Sequence, residues 1–543
     1  MTRLLLLLVL LAGLGRALDK PSVGLDFAAG VDYEHNSDTA LGRRPATDYW
    51  GALYGSVSWW RLSAALNLRY STEDRFTAQR VNDFSFAPAW GWGRVYAGDF
   101  STSFSEFALS GVSLYGGGIE LFPGAFRFGV VAGKSRRASR DTMDLADWSY
   151  DRNVFGVKLG AEQFALTVLK VADDTLSNMA MGDTAPIAPE ENLVIGLSSK
   201  VSIISGLRLS LDAGGSAYSR NTRSETLESR YIPAFVHKVF TPRLSTSADY
   251  ALRAGLAFTP SFMNVTLEAA EVGPGYTSLG LAGMTNDYGH LRLSANTSAI
   301  PKTSISAYAE MGADNLAGTK AATAASRELG LTANCVPFRQ LGIVANYSVS
   351  RLVKNMTYDS SKVDSVLRDS VKLFDVNSTT HLVSVGPSLN LDYSGVNQIV
   401  SAILSYQTYN NAAPFSQTAS SKPLTIALSY SITPRIPVTL STSFSHTYDF
   451  ARHGPDSTES YQNFGLSAGK ALFNERLQNS LSVAYQPSAT GQAFPILGSH
   501  SLEVTARDAV TLSWVLTMFK SELPALPGFN SQRISLVYNC RIF

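Results

Sequence analysis

The sequence has 543 residues, of which only 16% are charged, against roughly a quarter in ordinary soluble domains. Its 45 Lys and Arg nearly cancel its 44 Asp and Glu, leaving a net charge of +1, so no partner held by bulk charge is implied and nucleic acid is not expected. The two cysteines, Cys335 and Cys540, are too few for a disulfide scaffold at this length, and both are expected to stay unbridged.

The chain begins MTRLLLLLVLLAGLGRA, with Arg3 ahead of an apolar run from Leu4 to Leu11 and small residues at Gly15 and Ala17. That arrangement reads as a Sec-type signal peptide over residues 1–17, cleaved after Ala17. Residues 18–543 then form one exported unit. No later run approaches the roughly 20 apolar residues of a membrane-spanning helix.

From Val23 onward the sequence keeps a period of two. Val23, Leu25, Phe27, Ala29, Val31 and Tyr33 alternate with smaller or polar residues, and the beat returns down the chain. It is clearest in LTIALSYSITPRIPVTLSTSFSHTYDF, residues 424–450, where Leu424, Ile426 and Leu428 alternate with Thr425, Ala427 and Ser429. After Thr433-Pro434-Arg435 the pattern resumes with Val438 and Leu440 against Ser441 and Ser443. Such alternation gives a β-ribbon one apolar and one polar face.

Tight links such as Glu162-Gln163 and Ala299-Ile300-Pro301 alternate with longer polar segments, the longest around 219–247 and 350–380. The count of links gives about 26 strands (24–28 tolerated), an even number with both ends on the side of the tight turns. Strands of about ten to thirteen residues suit a tilted bilayer crossing and are long for a soluble sandwich. The expected fold is all-β: a single closed antiparallel transmembrane β-barrel with short periplasmic turns and long extracellular loops. Its apolar stripe should meet lipid and its Ser/Thr stripe the lumen.

Several groups stand out in chain order. Asp26 and Asp32 on the first strand share the polar phase of Arg533 and Arg541 on the last. Asp26 with Arg541 and Asp32 with Arg533 give nearly equal residue sums, so the four charges are expected at the barrel seam. GDFSTSFSEFALSGVSLYGGG, residues 98–118, interrupts the regular beat. It is expected to be an ordinary outer hairpin, the competing reading being a constriction folded inward. In KSRRASR, Lys134, Arg136, Arg137 and Arg140 put four cations at an expected outer rim, read either as a contact for anionic lipopolysaccharide or as a plain solvated loop.

GLSAG at 465–469 matches a nucleophile-elbow pattern, but Ser467 lies in an alternating strand with no helix to follow. His446 and His453, with Asp449 and Asp456, flank one loop and are read as ordinary loop residues, not a metal site. No catalytic residue, cofactor or metal is expected, and with no Cys-x-x-Cys-His the chain could not hold haem covalently.

With an alternating final strand ending in Phe543, the chain resembles Gram-negative outer-membrane β-barrel proteins as a class, which implies an outer-membrane location. In that class the terminal aromatic is in phase with the apolar stripe; here Tyr538, Cys540 and Ile542 carry the stripe and Phe543 is one residue out. EVGPGYTSLG (271–280), TND (285–287) and GADNL (312–316) look like segments of uncharacterised large barrels, distantly the type IX secretion translocon. A barrel this wide without a plug domain would leak, so a conduit or sheath for large cargo or a lumen-filling protein is expected. The alternatives are a non-conducting surface-binding barrel and, more remotely, an outer-membrane hydrolase.

Overall fold

The computed structural model describes residues 20–36, 47–72, 82–139, 148–177, 187–227, 239–356, 375–411, 420–434, 438–449, 459–488, 491–521 and 528–542. Each strand pairs antiparallel with its chain neighbours in one sheet of 27 segments, and the first, Ser22–Asn36, pairs with the last, Phe529–Arg541. Ser420–Ser421 and Pro423–Thr433 both pair with Val396–Asn411 and share one place in the wall, so the closed barrel has 26 strands. Closure leaves no strand edge unpaired.

The free ends of the first and last wall strands lie at the rim of tight turns. Ser22 is opposite Ser58, beside the turn at Trp60, and the Arg541 N–H donates to Arg507 O at 2.7 Å. Two of the two-residue turns hold non-glycine residues at positive φ: Trp60 (54°) and Ser394 (53°). Two-residue hairpins need that backbone because only the mirror-image turns match the right-handed twist of the strands.

The two faces separate as the alternation requires. Leu428, Leu440 and Leu466 lie on the outside with 50%, 44% and 61% of their surface exposed, where only hydrocarbon would make exposure favourable. Ser429, Ser443 and Gly465, which are successive partners across three strands, share the opposite, lumenal face. Strands about 4.8 Å apart and tilted about 40° give 26 of them a perimeter of about 160 Å.

Two expectations fail, each for a physical reason. Four consecutive strands, Ala322–Phe338, Leu341–Met356, Val376–Tyr393 and Val396–Asn411, run 16 to 18 residues, longer than the expected ten to thirteen. Their outer ends stay in the ladder because pairing satisfies backbone groups as well above the bilayer as within it.

The second failure concerns residues 98–118. The connection 102–112, between Gly93–Ser101 and Ser113–Leu121, is not an outer hairpin but folds into the barrel. Phe104, Phe107, Ala108 and Leu109 are buried there against Val131, Val154, Leu169, Val171 and Val194. On the strand Phe164–Asp174, Phe164, Leu166 and Val168 face outward while Leu169 and Val171 face the lumen, so the expected polar lumenal face is apolar in this sector. Left exposed to water, both the loop and the wall would lose the roughly 25 cal/mol per Å² that burial returns.

Candidate functional site

The inward loop 102–112 meets a second one, 273–287, which joins Met263–Val272 to Tyr288–Thr297. The Tyr276 hydroxyl donates to Phe107 O at 2.7 Å, Ser278 Oγ donates to Ala108 O at 2.7 Å, and Ser110 N–H donates to Gly280 O at 3.0 Å. Ser110 and Leu281 form a parallel bridge. Together the loops make a shelf inside the barrel, against the sector of wall between Ser113–Leu121 and Met263–Val272.

Asn192, fully buried on the strand Glu191–Ile204, fastens the shelf to the wall. Its Nδ2 donates to Thr277 O (2.9 Å), Ser216 Oγ (3.0 Å) and Ala217 O (3.1 Å), while its Oδ1 accepts from Leu279 N–H at 3.0 Å. The wall is recessed to receive the loops. A Cβ on Gly214 would lie 2.4 Å from Tyr276 Oη, and one on Gly196 would lie 2.8 Å from Ser105 Oγ. Burial pushes the Tyr276 phenol well above its ordinary value, so it remains a hydrogen-bond donor.

Charges hold the shelf's exposed edge. Arg253, on the lumenal face, pairs with Glu106 of the first loop and with Glu268, which lies 3.2 Å from His290 Nε2. At the loop's root Glu120 accepts from Arg94 (2.8 Å), Tyr96 (3.0 Å) and Thr102. The second loop ends at Asp287, whose side chain is wholly buried. Its backbone O accepts from Asn315 N–H at 2.9 Å, its Oδ1 accepts from Ala317 N–H at 3.1 Å, and Lys320 Nζ is 3.5 Å from Oδ2. Thus EVGPGYTSLG, TND and GADNL, which are scattered in sequence, build one end of the shelf.

The opposite wall is chemically different. From Pro423–Thr433 round to Asp508–Ser521 the lumenal face carries hydroxyls in register: Ser429 opposite Ser443, Ser431 opposite Ser441, Ser441 bonded to Ser467, and Ser501 to Thr511 at 3.0 Å. A shallow groove runs between Ser429, Ser441, Ser467 and Ser482. Ser467 is therefore one rung of this ladder. His446 points to the other face of the wall, stacked on Phe444, so the two do not meet. His453 and Asp456 lie outside the described residues, as does the side chain of Asp449.

At the seam all pairs sum to 567. Asp26 is opposite Arg541, with Arg541 Nε 3.4 Å from Asp26 Oδ1 and both side chains exposed. Asp32 and Arg533 differ from that sum by two and are not partners: Asp32 is opposite Ser535 and accepts from Trp50 Nε1 at 2.9 Å, while Arg533 is opposite Glu34. All four positions share the lumenal phase.

A register shift between Lys134 and Arg136 splits the cationic run between two faces. Lys134 lies outside and contacts Asp151 at 2.6 Å. Arg136 turns inward to Asp173, 3.2 Å away, whose carboxylate also accepts two bonds from the buried Arg152 at 2.7 and 3.0 Å. Arg137 O accepts from Ser149 Oγ at 2.7 Å; Arg140 is outside the described residues, as are the signal region 1–17 and Phe543. Cys335 and Cys540 are free thiols.

Sequence reasoning missed the shelf and its anchor Asn192. The signal was present: the run FALTVLKV (164–171) is apolar on both phases, and a barrel wall apolar on both faces must be covered on the inside as well.

The fold and site define a closed transmembrane β-barrel with an internal shelf. No protein-family model matches the sequence, and no curated protein does. Among solved structures the chain is similar to the P pilus usher PapC translocation pore (10% identity, TM-score 0.36, covering 96% of this chain and 100% of that one). It is also similar to OccK11 (OpdR) of Pseudomonas aeruginosa (7%, 0.30, 97% and 97%) and to OccAB4 of Acinetobacter baumannii (8%, 0.30, 97% and 100%). At such identities and scores the likeness assigns no activity to this chain, and the resemblance to a secretion translocon gains nothing from it.

Proposed function

We propose that the chain is an outer-membrane barrel whose lumen serves as a conduit for large cargo or a sheath around a partner protein, with the shelf narrowing one side. The observation that carries the proposal is width. Sixteen to eighteen strands already leave an aqueous channel, so 26 strands exceed what a small solute needs. The shelf is built from two loops against one sector, and the facing wall presents short hydroxyl side chains over several strands. Such a wall offers hydrogen bonds of little net strength and no deep electrostatic trap, which suits a surface that something slides past or rests against. The apolar exterior, and the start of the first strand and end of the last at the tight-turn rim, support an outer-membrane setting with those turns in the periplasm.

Planar-bilayer recording tests the proposal. Purified barrel should give large unitary conductances, and replacing residues 103–111 with a short Gly-Ser link should raise them. Silence from both proteins after verified insertion would refute the conduit and favour the surface-binding barrel. Proteins cross-linked to cysteines at Ser429 or Ser443 in native membranes would identify what occupies the lumen.

A further inference from the structure

The strands that rise above their neighbours carry an unbalanced pair of charges on the outside. Arg327 on Ala322–Phe338 lies directly opposite Arg351 on Leu341–Met356. Both are exposed, and both belong to the outward phase that also holds Leu329, Leu331, Tyr347 and Val349. Like charges in directly opposed positions destabilise a strand pair. Among the described residues no carboxylate on this face relieves them: Arg351 Nη2 has a 3.4 Å contact to Asn377 Oδ1, and Arg327 has no hydrogen-bond or ion-pair partner there.

The alternation of the four tall strands, Ala322–Phe338 to Val396–Asn411, puts no Asp or Glu on their outward faces among the described residues. At the top of this sector Asp375 is engaged, accepting from Met356 N–H at 2.7 Å. The carboxylates in the neighbouring ladder positions, Glu310 and Glu328, are on the lumenal face.

The height of the pair is set by what lies beneath it. Counting from the tight turn near Phe338, the outward positions Cys335, Ala333, Leu331 and Leu329 precede Arg327, and Leu341, Ile343, Ala345, Tyr347 and Val349 precede Arg351. About ten tilted residues cross the hydrocarbon, so both guanidiniums stand at the outer headgroup level. Tyr347 and Tyr406, one strand to each side of Val383, mark that interface just below, as tyrosines do at a bilayer boundary. His381 is exposed at the same level, with Nδ1 3.4 Å from Tyr347 Oη.

We propose that Arg327 and Arg351, flanked by His381, bind a phosphate on the headgroup of an outer-leaflet lipid. The assignment rests on the membrane-barrel reading above. Two guanidinium forks a strand spacing apart match the oxygens of a phosphate, and the anion removes the repulsion that the described residues leave uncompensated. A lipid is chosen over a free anion because the stripe Leu329, Leu331 and Val349 runs directly below on the same face, where an acyl chain would lie.

The test uses the full barrel in lipid nanodiscs, challenged with bisphosphorylated lipid A, with the same lipid after dephosphorylation, and with inorganic phosphate. Retained lipid is counted by native mass spectrometry. Wild type should hold the phosphorylated lipid at least tenfold more tightly than the dephosphorylated one. The R327Q/R351Q double variant should lose that difference, and R327K/R351K should keep part of it. Equal retention by wild type and the glutamine variant, both shown to be folded by heat-modifiable mobility, would overturn the proposal. So would full displacement of the lipid by equimolar inorganic phosphate, which would indicate a free-anion site. Failure of wild type to insert into a bilayer would instead overturn the membrane reading, and this site with it.

Discussion

Replacing Asn192 with Ala removes the clasp between shelf and wall while leaving the strand ladder intact. In the wild type Asn192 Oδ1 accepts the Leu279 N–H, and Nδ2 donates to Thr277 O. The substitution leaves the Leu279 N–H without a partner in a buried setting. Thr277 O retains the bond from Ser216 Oγ, so it is not orphaned. One lost net hydrogen bond of about 1 kcal/mol plus one orphaned donor at about 1–3 kcal/mol puts the cost at about 2–4 kcal/mol. At 1.4 kcal/mol per factor of ten, the docked loop should open about 30- to 700-fold more often. Water entering the vacated space would bring the value toward the lower end. Amide hydrogen exchange in nanodiscs reads this directly: Leu279 should exchange faster by that factor, while Leu169 on the adjoining strand keeps its protection. Unchanged exchange at Leu279 would mean that the apolar packing of Tyr276 and Phe107 holds the shelf by itself, and the role given to Asn192 would be wrong.

Face assignment is tested by Ile426→Arg and Ser441→Arg: the first, on the lipid side, should lower barrel stability by about 2–4 kcal/mol near the bilayer midplane, the second hardly at all. Equal tolerance in a urea-folding assay would contradict it. In a background lacking Cys335 and Cys540, cysteine pairs at positions 26/541 and 34/533 should cross-link in assembled barrel, and a 32/533 pair should not; a reversed result would move the seam by two residues. Gly280→Ala should force the two loops apart, because a Cβ there would sit 2.4 Å from Ala108 O, and would be seen as larger or noisier unitary conductance. Burial raises the Tyr276 phenol above its ordinary value of 10.0, so its contribution to docking is complete below that pH and is lost as pH climbs toward the raised value. Ultraviolet titration of wild type against Tyr276→Phe should therefore show one phenol ionising late; an ordinary titration would place it in water.

Shelf and clasp cover the apolar lumenal surface of one sector, while Leu352, Ile403 and Leu497 stand exposed on the lumenal phase of others. Elsewhere the interior is wetted by hydroxyls and by pairs such as Arg292 with Glu310, 3.5 Å apart on neighbouring strands. Pairs of this exposed kind contribute little stability, under about 1 kcal/mol each. The barrel itself is held by its closed ladder and its lipid-facing stripe.

What was legible from sequence follows from local rules. Side chains alternate along every strand, so Ile426 and Ser429 fall on opposite faces whatever the rest of the chain does, and turn spacing alone leads to 26 wall strands with both ends on one rim. Closure adds a constant sum of partner numbers, which is why Asp26 opposite Arg541 could be read from the sequence. It is also why Asp32 with Arg533, two off that sum, yields to Glu34. The shelf obeys no such rule. Phe104, Phe107 and Tyr276 lie in irregular segments, and their partners Leu169, Val171 and Val194 belong to strands tens of residues away. Whether a loop of that composition turns outward into water or inward onto a wall depends on the apolar area waiting inside, and that area exists only once the strands have closed around it. The same holds for Arg136 and Lys134, neighbours in sequence that a single register shift sends to opposite faces. Period and parity determine the wall; closure decides what the wall encloses.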